Sequence, residues 1–399
     1  MRKFSFFVPL LLVAYEAITY LSNDMYLPAL PSMMDELGLD SFYSQLTLTS
    51  WFLGAAFMPL IVGGLIDRFG RKPILLLSGV VYVLANLICA LTQNIPLFLS
   101  MRFVQGAMMS TLLVTSYSTI HDNYPHKEAV RILAIMGSIS ILAPAFGPLL
   151  GGVILSFASW RGIFWFIALS AIIPLTLLSQ SMPTTTITER QRLHLFSLIK
   201  KYGRVIINAD FMLLMGVEGL IFGGFLSWVT SSPLLIMQNF NATPITYGIT
   251  QSLVFGACML GNYGVKKLLA SHSVSFLARM GICIASIGGL STLGTACCFP
   301  SNLPLFVLSM MLFSLGAGFC FPSLNRLIIE TSNESMNIRV ALFTVFQTGF
   351  GAMGSALSSL FFDGSLLSLS GIIVLPLMVA YGFGLLFMWR RKVFVAQQF

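Results

Sequence analysis

Three carboxylates and one guanidinium stand where water is scarce. Glu16 and Asp24 lie inside a mostly apolar run, 6–30, that is long enough to cross a bilayer. Arg102 lies inside a second such run and Glu218 inside a third. A charge at a bilayer centre costs roughly 3 kcal/mol on insertion scales, and groups retained against that cost mark ion or proton paths. Glu16 follows Phe6 by ten residues, about 15 Å along a helix and so near the midplane. Asp24 is about 12 Å further along and rotated by roughly 80°, with Tyr20 one turn from each acid. Arg102 enters its run from the opposite side and is about 9 Å deep, a depth comparable to that of Asp24. If these two helices are neighbours, Asp24 and Arg102 face each other: the cation favours an ionised carboxylate and burial favours its protonated form. Glu16 has no evident cation partner, which suits a site for either a proton or a lipophilic cation. The plainer alternatives are a structural ion pair for Asp24 and a quietly hydrogen-bonded acid for Glu16.

The elements that position these groups follow from composition. Of 399 residues, 56% are hydrophobic and 9% charged, against about 25% charged in soluble domains. The mean hydropathy is +0.87. This is a polytopic membrane protein of apolar helices, with lipid as its surroundings. Twelve spans are expected, over 6–30, 44–66, 73–92, 96–118, 128–157, 161–182, 209–236, 244–268, 275–298, 303–330, 337–362 and 368–389. Pro59, Pro144, Pro148, Pro174, Pro322 and Pro376 fall inside them and predict bends. The longest connection, 183–208, separates a bundle over 1–182 from one over 209–399. Six plus six helices is the layout of a two-bundle transporter. In that layout Glu218 lies on the repeat partner of the first helix, at a depth similar to Glu16. It is a third protonatable or substrate-facing acid, with helix packing as its alternative role. Residues His194–Lys201 of the connection read as a short interfacial helix.

The net charge of +8 is a topology signal. Of the 22 Lys and Arg residues, all but Arg102 and Arg161 sit at the termini or even-numbered loops, which places both termini in the cytoplasm. No basic domain stands apart from the membrane, so a nucleic-acid partner is excluded. The six cysteines lie in apolar segments and read as free thiols. The four histidines fall in loops and none has metal-ligand spacing, so no metal is expected. The chain carries no phosphate-binding glycine loop, so ATP is not the energy source. It carries no nucleophile–base grouping either, so it is not an enzyme.

The loop after the second span reads Gly63-Gly64-Leu-Ile-Asp67-Arg68-Phe-Gly70-Arg71-Lys72-Pro73. Asp67, Arg68 and Arg71 stand at one helix end and Asp122 at another on the same side, the makings of a charged latch that forms in one conformation and breaks in another. This loop resembles the signature of the major facilitator superfamily. Arg102-Phe-Val-Gln105-Gly106 is similar to that family's intramembrane arginine motif. Ala143-Pro144-Ala-Phe-Gly147-Pro148-Leu-Leu-Gly151-Gly152 resembles the proline–glycine motif of its drug:proton antiporters. Tyr15-Glu16 and Asn23-Asp24-Met-x-x-Pro28 resemble the first helix of the twelve-span multidrug members. In the second half the position matching the signature loop reads Gly261-Asn-Tyr-Gly264-Val-Lys266-Lys267, without an acid, which places the stronger latch in the first half.

The resemblance implies an all-α membrane protein, twelve transmembrane helices in two six-helix bundles around a central cavity. It implies alternating access, with the span-five motif packed against the second bundle to seal one face. Matching motif positions adds Tyr20, Asn23, Gln105, Tyr117, Met136 and Ser140 as substrate-facing residues. The expected function is export of hydrophobic, often cationic, drug-like compounds in exchange for protons, with no cofactor beyond the proton gradient. The expected setting is a bacterial inner membrane, with the protein a monomer in the lipid bilayer. A dedicated exporter of an endogenous metabolite or siderophore, a proton-coupled importer and a cation/H+ exchanger remain open at this point.

Overall fold

The computed structural model describes residues 7–38, 40–182, 195–332, 334 and 336–396. Most of the expected connection, 183–194, lies outside the described residues. Every regular element described is helical. By its internal contacts the chain divides into two compact units, one of Met1–Leu193 with Ala242–Ser252, the other of His194–Asn241 with Leu253–Phe399.

The first unit begins with α1 (Phe7–Met25), a short 3-10 turn (Leu27–Ala29) and α2 (Leu30–Leu37). It continues with α3 (Ser41–Phe57), α4 (Pro59–Phe69), α5 (Arg71–Leu91), α6 (Ile95–Asn123), α7 (His126–Leu155) and α8 (Trp160–Ser181). Helix α1 ends where Pro28 removes a backbone donor. Its buried residues Val8, Leu11, Leu12, Tyr15, Glu16, Thr19, Ser22 and Asn23 recur at helical spacing, so Glu16 and Asn23 belong to the inward face. That face packs chiefly on α7 and α8, while α6 packs on α3 and α5.

The second unit contains α9 (Leu195–Ile206), α10 (Ala209–Leu234, running on as a π-turn to Asn239), most of α11 (Pro244–Leu268), α12 (Val274–Cys298), α13 (Leu303–Ile329), α14 (Met336–Phe361) and α15 (Leu366–Ala396). Helix α10 packs on α14 and α15, and α12 packs on α13. The α9 helix covers much of the expected interfacial segment.

Among the described residues eight helices are long and apolar enough to cross a membrane, or ten when each of two bent pairs counts as one span. One pair is α3 with α4, bent by 48°, where Pro59 has no amide hydrogen to give the preceding turn. The other is α7, bent by 45° between Ile139 and Leu142, one turn before Pro144. Helices α1 and α11 lie over two further expected spans. Arg161, the loop cation on the unexpected side, bonds to Glu36 and stacks 4.1 Å from the Trp160 ring centroid. Trp160 Nε1 donates to the other Glu36 oxygen at 2.6 Å. One carboxylate thus ties α2 to the start of α8 and matches the cation locally.

Candidate functional site

Arg102 is completely buried on α6, so each of its donors needs an acceptor. Its Nη1 donates to Gln105 Oε1 at 2.7 Å, its Nη2 to Asn23 Oδ1 at 3.2 Å and its Nε to the Thr47 carbonyl at 3.4 Å. The guanidinium also lies 4.1 Å from the Tyr26 ring centroid, a cation–π contact worth up to about 2 kcal/mol when desolvated. The Tyr26 hydroxyl is paired with Thr47 Oγ1 at 2.9 Å. One arginine therefore joins α1, α3 and α6.

Asp24 sits beside this network and not in it. It is 4% exposed, and no ion pair or hydrogen bond links it to Arg102. The two charges interact through space only. The expected facing pair is thus corrected to a shared neighbourhood: Asn23 and Gln105 offer neutral oxygens that take the guanidinium donors first. What covers Asp24 is backbone. A Cβ placed on Gly147 would sit 2.8 Å from the Asp24 Cβ, and one on Gly151 would sit 1.8 Å from the Met25 carbonyl oxygen. Only glycine lets α7 lie this close to α1. A Cβ on Gly152 would meet the Pro244 carbonyl oxygen at 2.9 Å, and Ser252 Oγ donates to the Ala145 carbonyl at 2.5 Å. The Pro144–Gly152 segment is therefore held between α1 and residues 244–252 of α11.

Glu16 is 1% exposed, and its carboxyl has the Tyr117 hydroxyl of α6 at the limit of hydrogen-bond reach. Tyr117 of α6 and Tyr20 are near enough to interact with it electrostatically. No cation pairs with it among the described residues. Its carboxyl lies among rings and hydroxyls, where a proton or an incoming cation would be its natural partner. Met136 is fully buried on α7; Ser140 is in the same helix, its side chain outside those described.

At the end of α6, Arg71 bonds to Asp122, which His121 Nδ1 also meets at 2.9 Å. Asp67 and Arg68 are exposed, and neither makes an ion pair among the described residues. Arg68 lies 5.1 Å from the Phe69 ring centroid. Of the four expected latch residues the structure thus brings two together. Gly70, at the turn between α4 and α5, adopts φ +86°, a conformation glycine reaches without strain. In the second unit Arg204 of α9 pairs with Glu334 at 2.9 Å, and Arg326 pairs with Glu330 at 3.0 Å.

Glu218 is completely buried on α10. Its Oε1 accepts from Gln347 Nε2 of α14 at 2.6 Å, and its Oε2 has no partner. Sequence reasoning missed Gln347, which stands in no motif. It missed Tyr26 too, although that ring lies two residues past Asp24 and one turn from Asn23, within reach of the same arginine. Among the described residues no group of three or more His, Cys, Asp or Glu side chains could hold a metal.

Comparison with known proteins places this geometry. The Acinetobacter baumannii protein named "Chloramphenicol resistance protein CraA" is 29% identical over 348 residues, 86% of this chain and 84% of that one. The Edwardsiella ictaluri protein named "Multidrug transporter MdfA" is 28% identical over 328 residues, 82% of this chain and 80% of that one. Among solved structures, a bacterial homologue of the human lysosomal transporter Spinster, inward-facing and unoccupied, superposes with a TM-score of 0.75 at 15% identity, covering 97% of both chains. A D-xylose-proton symporter superposes with a TM-score of 0.73 at 14% identity, covering 95% of this chain and 98% of its own. The sequence profile of the Major Facilitator Superfamily matches residues 12–355, and with buried acids, an intramembrane arginine and multiple apolar helices in place, the chain belongs to that superfamily of membrane transporters.

Proposed function

We propose that this protein is a multidrug/proton antiporter that exports hydrophobic, often cationic, drug-like compounds. It works as a monomer in a bacterial inner membrane with both termini in the cytoplasm, driven by the proton gradient and alternating access. The observation that carries the reading is the state of the two α1 acids. Asp24 is buried under Gly147 beside an arginine whose three nitrogens each already donate elsewhere, and Glu16 is buried with no cation pairing with it among the described residues and the Tyr117 hydroxyl at the limit of hydrogen-bond reach. Both can exchange a proton without dismantling a salt bridge. Glu16, between Tyr20 and Tyr117, offers a lipophilic cation an unmatched carboxyl and aromatic faces. The names of the relatives support the cargo class: one is called a multidrug transporter and another a chloramphenicol resistance protein.

In this cycle protons from outside occupy Asp24 or Glu16 and release the cargo. Deprotonation toward the cytoplasm readies the acids to bind again. Tyr20, Asn23, Gln105, Tyr117, Met136 and Ser140 face the cargo, and Glu218 serves as a third proton station. The Arg71–Asp122 bond holds the cytoplasmic latch, which Asp67 and Arg68 join in another conformation of the cycle. The Pro144–Gly152 segment of α7 seals the site during the switch.

The test is cargo-triggered proton release from detergent-purified protein, with wild type, Asp24→Asn and Glu16→Gln compared. Release by wild type with lipophilic cations, reduced in each variant, is expected. No release with a panel of lipophilic cations and chloramphenicol overturns the multidrug reading. Release that persists in both variants moves the coupling elsewhere, to Glu218 first.

A further inference from the structure

A groove of about 560 Å³ opens in the second unit, its floor reaching Val217, the residue before Glu218. Its volume is within the 300–1,000 Å³ span of small-molecule sites. Leu214 and Val217 of α10, Ile282 of α12 and Leu324 of α13 form its apolar floor, and α12 and α15 supply its two rims. All lie toward one end of the unit, where α10 and α12 begin and α13 and α15 finish. In the proposed orientation this is the cytoplasmic end.

The α12 rim is chemically odd. Phe276, Arg279, Cys283, Ile287 and Leu290 are all exposed and recur at helical spacing, so they share one face. Four of the five suit lipid, and the arginine does not. Arg279 Nε donates to the Ser275 carbonyl of its own helix at 3.2 Å, and among the described residues no carboxylate pairs with the guanidinium. The groove lining contains no acid at all. Arg279 is five residues from the start of α12, about 7.5 Å along the axis, from where its long side chain reaches headgroup level by snorkelling. The opposite rim presents exposed Leu385 and Tyr381, with exposed Met378 and Val379 beyond.

We propose that this groove holds an acyl chain of an anionic phospholipid from the cytoplasmic leaflet, with the lipid phosphate on Arg279. Charge decides the occupant. A positive group at the mouth of an acid-free apolar groove repels lipophilic cations, the cargo proposed above, and attracts an anion with a hydrocarbon tail. A basic side chain near such a surface favours anionic lipid by about 1 kcal/mol, or roughly fivefold.

The experiment is native mass spectrometry of the full-length, detergent-purified protein titrated with phosphatidylglycerol or with zwitterionic phosphatidylethanolamine. Preferential retention of phosphatidylglycerol is expected. Arg279→Gln should weaken it roughly fivefold and leave phosphatidylethanolamine unchanged. Cys283→Trp keeps the charge and fills the groove from its exposed rim, and should also expel the anionic lipid. Equal retention of the two lipids, or unchanged phosphatidylglycerol binding in Arg279→Gln, overturns the proposal. So does displacement by inorganic phosphate alone, which would mean an anion site without an acyl chain. Displacement by tetraphenylphosphonium overturns it as well, because the groove would then be a vestibule for cargo.

Discussion

Helices α1 and α10 each bury a carboxyl, and they do it by different means. On α1 the nearest cation, Arg102, gives one donor from each of its three nitrogens to Asn23, Gln105 and Thr47, and acts on Asp24 through its field with no bond between them. Glycine backbone from α7 closes over it. On α10 Glu218 has no described cation pairing with it and instead holds one neutral amide, Gln347. An amide donor serves an ionised carboxylate well and a protonated acid through its carbonyl oxygen, so it tolerates either state. A nearby cation with its hydrogen bonds already assigned biases the charge and does not lock it. The first arrangement suits a group that must change state during a cycle. The second suits a group that must stay soluble in the protein whatever its state.

The largest effect should separate these two directly. Asp24→Asn is expected to cut cargo-triggered proton release sharply, whereas Glu218→Gln leaves most of it and changes proton stoichiometry or the preference for dicationic cargo. Equal loss in both would erase the distinction. Arg102→Met comes next. It strands the Asn23 and Gln105 side-chain oxygens in the first unit, each costing about 1–3 kcal/mol, and should lower the thermal midpoint sharply. Arg102→Lys restores charge without the planar fork and should recover only part of that loss. A smaller change belongs to the second unit. Gln347→Leu leaves both Glu218 oxygens bare and should cost about 1–3 kcal/mol in stability. The double variant Glu218→Leu with Gln347→Leu should recover most of it, since removing both partners is nearly neutral. No recovery would mean that Gln347 does more than satisfy Glu218. The smallest effect is expected at the exposed latch. Arg71→Gln should change stability by less than about 1 kcal/mol, slowing transport while leaving equilibrium proton release intact.

Helices were legible because their ends are chemically marked. The apolar run at 244–268 matches α11 in both bounds, and 303–330 ends within one residue of α13. Pro59 was legible as a bend; that it separates two helices depends on how the flanking turns pack. Depth was legible too. A rise of 1.5 Å per residue brings Asp24 and Arg102 to one level, and the structure keeps them within electrostatic reach. Their pairing was not legible. Helix geometry fixes where an arginine begins and not which oxygen its flexible stem selects. Gln105, three residues along the same helix, and Asn23, one residue before the acid, are nearer competitors. Gln347 was invisible for another reason: it lies 129 residues from Glu218, and only packing of α10 on α14 joins them. The groove at Arg279 showed in the sequence as a single basic residue near a helix start, indistinguishable there from an ordinary topology signal.

The clamp at Glu36 has a spectroscopic consequence. Trp160 is 2% exposed, donates its indole hydrogen to a carboxylate and carries a guanidinium against its ring. Indole emission responds to both the hydrogen bond and the adjacent charge. The protein thus contains a native fluorophore at one end of its first unit, wired to the joint between α2 and α8. Loosening of that joint would register in its emission, with no label attached, once the other four tryptophans are replaced.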